Sequence, residues 1–200
     1  NTLGILLARS SNTTIEGNKI TNTMFGIYVS QSSNSILRDN LMSDNLYNFG
    51  VYGTELAHYV HDIDSSNTVD GKPVYYWINH QNENIPADAG YIALVNSTHI
   101  AVQNLNLKNN KQGVLLAYTK NSIITGNNIT KNEMGVCLWD SSNNTMGGNN
   151  ITYNDEGFHV YWNSSNNTIS GNNITKNVIG IKLGYDSSNN TIAGNNITYN

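Results

Sequence analysis

Three aromatic residues return at one place in a repeated phrase. Trp139 precedes Asp140, Trp162 precedes Asn163 and Tyr185 precedes Asp186, each pair standing directly before Ser-Ser-Asn-Asn-Thr. An aromatic surface beside an amide or carboxylate can hold a sugar, because the ring covers its apolar face while the polar group takes a hydroxyl. The same column could instead be an aromatic ladder on the protein's own surface, or a contact with another rod. The Asp140, Asn163 and Asp186 column offers oxygen ligands of the kind calcium uses. Its simpler reading is a repeated Asx-turn position.

Other chemistry is thinner. His58 and His61, three apart and followed by Asp62, are residue types that bind divalent metals. They stand with His80, Tyr59, Tyr75, Tyr76, Trp77, Asp64, Glu83 and Asp88 in a stretch that could equally wrap a flank of the fold or meet a sugar or partner. Hydrolysis of a glycosidic bond needs two carboxylates placed about it. Glu133 and Asp155 share a repeat column with Lys111 and Val178, and no second pair is identifiable; the only arginines are Arg9 and Arg38. The four methionines, at 24, 42, 134 and 146, are scattered, and no His- or Met-rich cluster exists. The expectation is therefore no catalytic set, no bound metal and no cofactor.

The elements that must position these residues follow from an internal repeat. Gly135-Val136-Cys137-Leu138, Gly157-Phe158-His159-Val160 and Gly180-Ile181-Lys182-Leu183 each open a unit. A single apolar anchor follows (Met146, Ile169, Ile192), then a second five residues later (Ile151, Ile174, Ile197). The spacing is 22 or 23 residues, and a looser form begins at Gly4 and Gly26. Alternation at period two predicts strands, and Asn, Gly and Ser between them predict turns. No unit could bury its apolar face alone; stacked units could, each strand lying on the same strand of the next coil about 4.8 Å away. Asparagine columns fit such a stack: Asn127, Asn149, Asn172 and Asn195 in one, Asn132, Asn154, Asn177 and Asn200 in another. In register, each side-chain amide can bond the next.

The phrase Gly-Ile-x-Leu…Ser-Ser-Asn-Asn-Thr-Ile-x-Gly-Asn-Asn-Ile-Thr-x-Asn resembles the repeat of NosD-type proteins, also called the carbohydrate-binding-and-sugar-hydrolase (CASH) repeat. Asn67-Thr68-Val69-Asp70-Gly71-Lys72-Pro73-Val74-Tyr75-Tyr76 resembles a stretch of archaeal surface members. The resemblance covers nearly the whole chain. It implies an all-β fold, a right-handed parallel β-helix, and secretion; the copper association of the NosD name does not carry over to these residues. The expected architecture is a single domain over residues 1–200, a three-sided solenoid of about eight coils of 22–24 residues. Residues 53–90 are expected to form one irregular, enlarged coil with loops.

Composition narrows the class. Charged residues are 12% of the chain, with a net charge of −4, and 37 of its 200 residues are Asn. Ten thinly spread basic residues give no electrostatic footprint for nucleic acid. No apolar run approaches the roughly 20 residues of a membrane span. Cys137 is the only cysteine, so no internal disulfide can form. Asn-x-Ser/Thr occurs ten times, compatible with glycosylation of a subset. Both ends cut the repeat, which predicts a segment of a longer repeat protein, or end coils through which copies self-associate. The expected role is a non-enzymatic extracellular module of a cell envelope or sheath, a rigid spacer or assembly unit with glycan contact. The alternative is a carbohydrate-binding or carbohydrate-processing part of a larger polysaccharide-active enzyme.

Overall fold

The computed structural model describes residues 2–200. A regular coil holds three strands, for example Met134–Trp139, Thr145–Gly147 and Asn150–Thr152. Successive coils pair in parallel with a shift of one repeat: Val136 faces Phe158, Met146 faces Ile169 and Ile151 faces Ile174. The strands are short because the corners demand left-handed backbone, which Asn tolerates: Asn143, Asn166 and Asn189 have φ of 58°, 57° and 55°. Inside, Phe158, Val160, Ile169 and Ile174 are fully excluded from solvent. Each such side chain contributes on the order of 1.5–3 kcal/mol of burial.

The asparagine columns close the corners. Asn149 Oδ1 accepts from both the backbone N and the Nδ2 of Asn127, at 3.0 Å each. Asn149 Nδ2 in turn donates to Ile124 O and Asn172 Oδ1, both at 2.9 Å, and Asn172 to Asn195 Oδ1. Asn132, Asn154, Asn177 and Asn200 repeat this pattern. A third column, Asn144, Asn167 and Asn190, does the same. Every amide hydrogen in the middle of these columns is used, so they hold backbone carbonyls rather than a ligand.

The irregular segment carries its loops and also a reversal that the repeat does not announce. Thr68–Val69 lies parallel to Leu41–Ser43 and completes a third N-terminal coil. The chain then turns at Asp70 and Gly71 (φ 49° and 77°), and Lys72–Ile78 runs back antiparallel to Thr68–Val69. Lys72–Ile78 next pairs in parallel with Tyr91–Val95, which starts the C-terminal coils. Residues 53–90 thus finish one coil and begin another, and the turns number about nine, one more than the spacing predicts. One sheet of nine strands runs through both units.

The reversal brings the N-terminal coils against a flank of the C-terminal ones. Tyr91–Val95, Gln112–Ala117 and Met134–Trp139 are buried along their whole length. Ile92, Leu94, Val114 and Leu116 point into the C-terminal core. Tyr91, Ala93, Leu115 and Cys137 instead join the cluster of Ile27, Phe49 and Val51 from the N-terminal coils. Phe49 meets Tyr91 edge-on at 4.9 Å. Lys111 N donates to Phe49 O, and Gln112 Nε2 donates to Val51 O, both at 2.9 Å. Contact is close enough at Gly50 that an added Cβ would lie 2.3 Å from Lys111 Cβ.

Candidate functional site

The aromatic column forms, with one change of register. Trp139 pairs in the sheet with Tyr161, not Trp162. The coil has gained a residue: Thr119 bonds Ser141, 22 positions on, whereas Ser141 bonds Ser164, 23 positions on. The extra residue is taken up at the corner, where Trp162 and Asn163 both have positive φ, as do Tyr185 and Asp186. The rings nevertheless line up, the first pair tilted and the second stacked. Trp139 and Trp162 lie 5.3 Å apart at 30°, and Trp162 and Tyr185 lie 5.2 Å apart at 3°.

Their environments differ. Trp139 is buried, edge-on to Tyr52 at 5.6 Å and beside Tyr59 at 6.4 Å. Trp162 and Tyr185 are 39% and 60% exposed. Asp140, Asn163 and Asp186 occupy left-handed corner positions (φ 47°, 52° and 61°), the geometry of an Asx corner. The open pair and Tyr161 border a hollow of about 250 Å³ whose far wall is Tyr52 of the N-terminal coils.

That hollow continues along the outer face of Glu156–Tyr161, where a polar floor appears that the repeat columns did not suggest. His159 is the Cα partner of Cys137 in one neighbouring strand and of Lys182 in the other. Its Nδ1 bonds Glu156, and Lys182 Nζ donates to Glu156 at 2.6 Å. Burial pushes the Glu156 carboxyl up, but the hydrogen bonds from His159 and Lys182 outweigh it and hold the group below its ordinary range. Lys111 Nζ reaches both oxygens of Glu133 at 2.6 Å and lies 4.8 Å from the Tyr28 ring centre. Asp155 accepts from the Tyr47 hydroxyl at 2.8 Å. The column reading Leu115, Cys137, His159, Lys182 turns from apolar to charged where the N-terminal cover ends, and that change was the available signal.

The histidines of the irregular segment are engaged elsewhere. His61 is buried; its Nδ1 accepts from Ser35 N and its Nε2 meets His58 O. His58 meets Thr54 and Glu55, Asp62 pairs with Arg38 at 2.5 Å, and His80 stacks on Trp77 at 4.5 Å. Burial lowers the His61 pKa, against the bond to His58.

The fold and its flank define a parallel β-helix protein. The sequence matches the family model described as "Periplasmic copper-binding protein (NosD)" over residues 1–70 and 60–200, and the chain belongs to that family. The two matches meet beside the reversal at Asp70–Gly71. No curated protein matches the sequence. Among solved structures, crystal structures of the periplasmic alginate epimerase AlgG are similar. One, at 15% identity and TM-score 0.46, matches over 98% of this chain and 47% of its own. A doubly substituted form, at 15% identity and TM-score 0.48, matches over 92% and 50%. The chain spans about half the length of these structures.

The family description implies copper, and the residues present do not form a site for it. Among the described residues, no three His, Cys, Asp or Glu side chains gather to hold a metal. Cys137, the one soft thiol, is buried, and burial pushes it up to about 12, far from the thiolate that binds metal.

Proposed function

We propose that this chain is an extracytoplasmic structural module, a rigid β-helical spacer or assembly unit of the cell surface, that contacts glycans through its aromatic edge. The observation that carries this reading is the Trp162–Tyr185 pair, stacked within 3° and open to solvent, bordering a hollow with polar groups on its floor. Contiguous exposed apolar surface rimmed by polar groups, unlike a single exposed ring, is a mark of binding sites. The family's description as periplasmic supports export. End-to-end self-association through the outer coils is the assembly mode this reading expects, and light scattering of concentrated protein measures it. Glycan contact is tested on a glycan array: specific binding should appear and fall at least tenfold in Trp162→Ala. Binding unchanged by that substitution would remove the aromatic edge from the function.

A second reading, a carbohydrate-processing part of a larger enzyme, draws on the Glu156–His159–Lys182 contact. A histidine bonded to a carboxylate beside a lysine and Tyr161 is a set that can move protons. Incubation with polysaccharides and chromatography of the products tests it. Turnover lost in His159→Gln would favour this reading over a purely structural role.

A further inference from the structure

We infer that the flank trench takes a neutral, extended oligosaccharide, gripped by both units, and turns polyuronates away. This rests on the glycan-contact reading above and adds the class of glycan and its path.

The path comes from shape. Three adjoining hollows share His159. Two of them follow the strand Glu156–Tyr161 from the aromatic pair at one end to Glu133 and Asp155 at the other, and the third lies between the units beside it. Six residues of strand span roughly 20 Å, the length of a chain of several sugar rings rather than one. The bank opposite the C-terminal sheet is made by Tyr28 and Tyr52 of the N-terminal coils. A glycan in the trench therefore crosses the rod along its strands and touches both units.

The class comes from charge. Each lysine of the trench already has its carboxylate: Lys111 is held by Glu133 and Lys182 by Glu156. Asp155 is left with a hydroxyl partner only, among the described residues. Two lysines against three carboxylates leave one net negative charge when His159, which is bonded to Glu156, is neutral. The next hollow, beyond Asp155, adds Lys131 and Asp44, one charge of each sign and no net charge, although no ion pair joins them among the described residues. Along the three hollows that share His159, a chain with a carboxylate on every ring would meet no lysine without a carboxylate already on it, and like charges brought together out of water are costly. Neutral sugar hydroxyls instead find carboxylate acceptors and tyrosine and histidine hydrogen-bonding groups, with apolar ring faces against Tyr52 and Trp162.

Calorimetric titration with linear hexasaccharides tests this, using a neutral glucan, a neutral N-acetylhexosamine chain and a polyuronate, each beside its monosaccharide. A neutral hexamer should bind at least tenfold tighter than the polyuronate and than its own monomer. Tyr52→Ala should weaken it at least fivefold, and His159→Gln should weaken it as well; circular dichroism and a thermal melt check the fold of both. Polyuronate binding as tightly as the neutral chains would overturn the inference, as would binding sensitive to Trp162→Ala but indifferent to Tyr52→Ala and His159→Gln; glycan contact at the aromatic edge would survive either result. No binding by any hexamer would overturn the glycan reading and this inference together.

Discussion

Val69 and Lys72 face each other across the one antiparallel ladder among the described residues. Every other strand pair runs parallel, so this contact is where the molecule changes direction. It turns a repeat that could have formed one stack into two units packed flank to flank, and it thereby supplies the second bank of the trench.

The turn between them should be sensitive to backbone alone. Gly71 has φ 77°, and an added Cβ there meets nothing within 4 Å. Gly71→Ala should therefore cost only the left-handed penalty, about 1–2 kcal/mol, read as a lowered Tm. A loss much larger than this in denaturant titration would mean that the turn does more than reverse the chain.

Buried and exposed asparagines should respond differently to the same change. Asn149→Ala strands the Ile124 carbonyl and the Asn127 amide in the interior, at about 1–3 kcal/mol for each unsatisfied group. The Asn150 side chain is exposed and bonds only the side chains of half-buried Asn128 and exposed Asn173; Asn150→Ala should stay within about 0.5 kcal/mol of the parent. Chemical denaturation of the two variants compares them directly.

Stability should fall with acid in two stages. His61 is held neutral by burial below its ordinary value of 6.5. As pH drops past about 6.5 the unfolded chain gains a proton that the folded chain refuses, so stability declines there. Glu156 has a depressed folded pKa. Its contribution is complete above the ordinary 4.5 and is lost as pH falls through the lower folded value. Thermal melts from pH 8 to pH 3 should lose the first stage in His61→Gln and the second in Glu156→Gln.

Cys137 should be inert. Its thiol is buried and pushed up to about 12, so a thiol reagent at pH 8 should label it only on unfolding. Rapid labelling of the native protein would place the thiol at the surface.

The purified protein should carry no stoichiometric copper or zinc. Elemental analysis measures this; metal present at one equivalent and lost in a His58→Ala, His61→Ala double variant would show that the irregular segment rearranges to bind it.

Coil spacing, strand positions and the asparagine columns are legible in the sequence because each is written once per repeat. Ile151 and Ile174 announce their pairing by recurring. The reversal is not legible, because Asp70-Gly71 is indistinguishable from any other corner until its strands are seen to pair. The trench floor is hidden for a related reason. Lys111, Glu133, Glu156, His159 and Lys182 come from four coils, and only Glu133 and Asp155 share a repeat column of like charge. What unites the others is the flank left uncovered by the N-terminal coils, a tertiary fact. The aromatic column was visible by spacing, yet its one-residue insertion moved Trp162 off the strand position that Trp139 occupies.

The three buried asparagine columns also give the rod an electrical sense. In each, Oδ1 points toward the lower-numbered coil and Nδ2 toward the higher. Like-oriented amide dipoles in series add, and each polarises its neighbour. The columns therefore act as parallel wires of aligned dipoles, comparable in kind to the field along an α-helix, in a protein built from strands. A coil inserted in the reverse orientation would break all three series at once, so the arrangement admits new coils by duplication and rejects them by inversion.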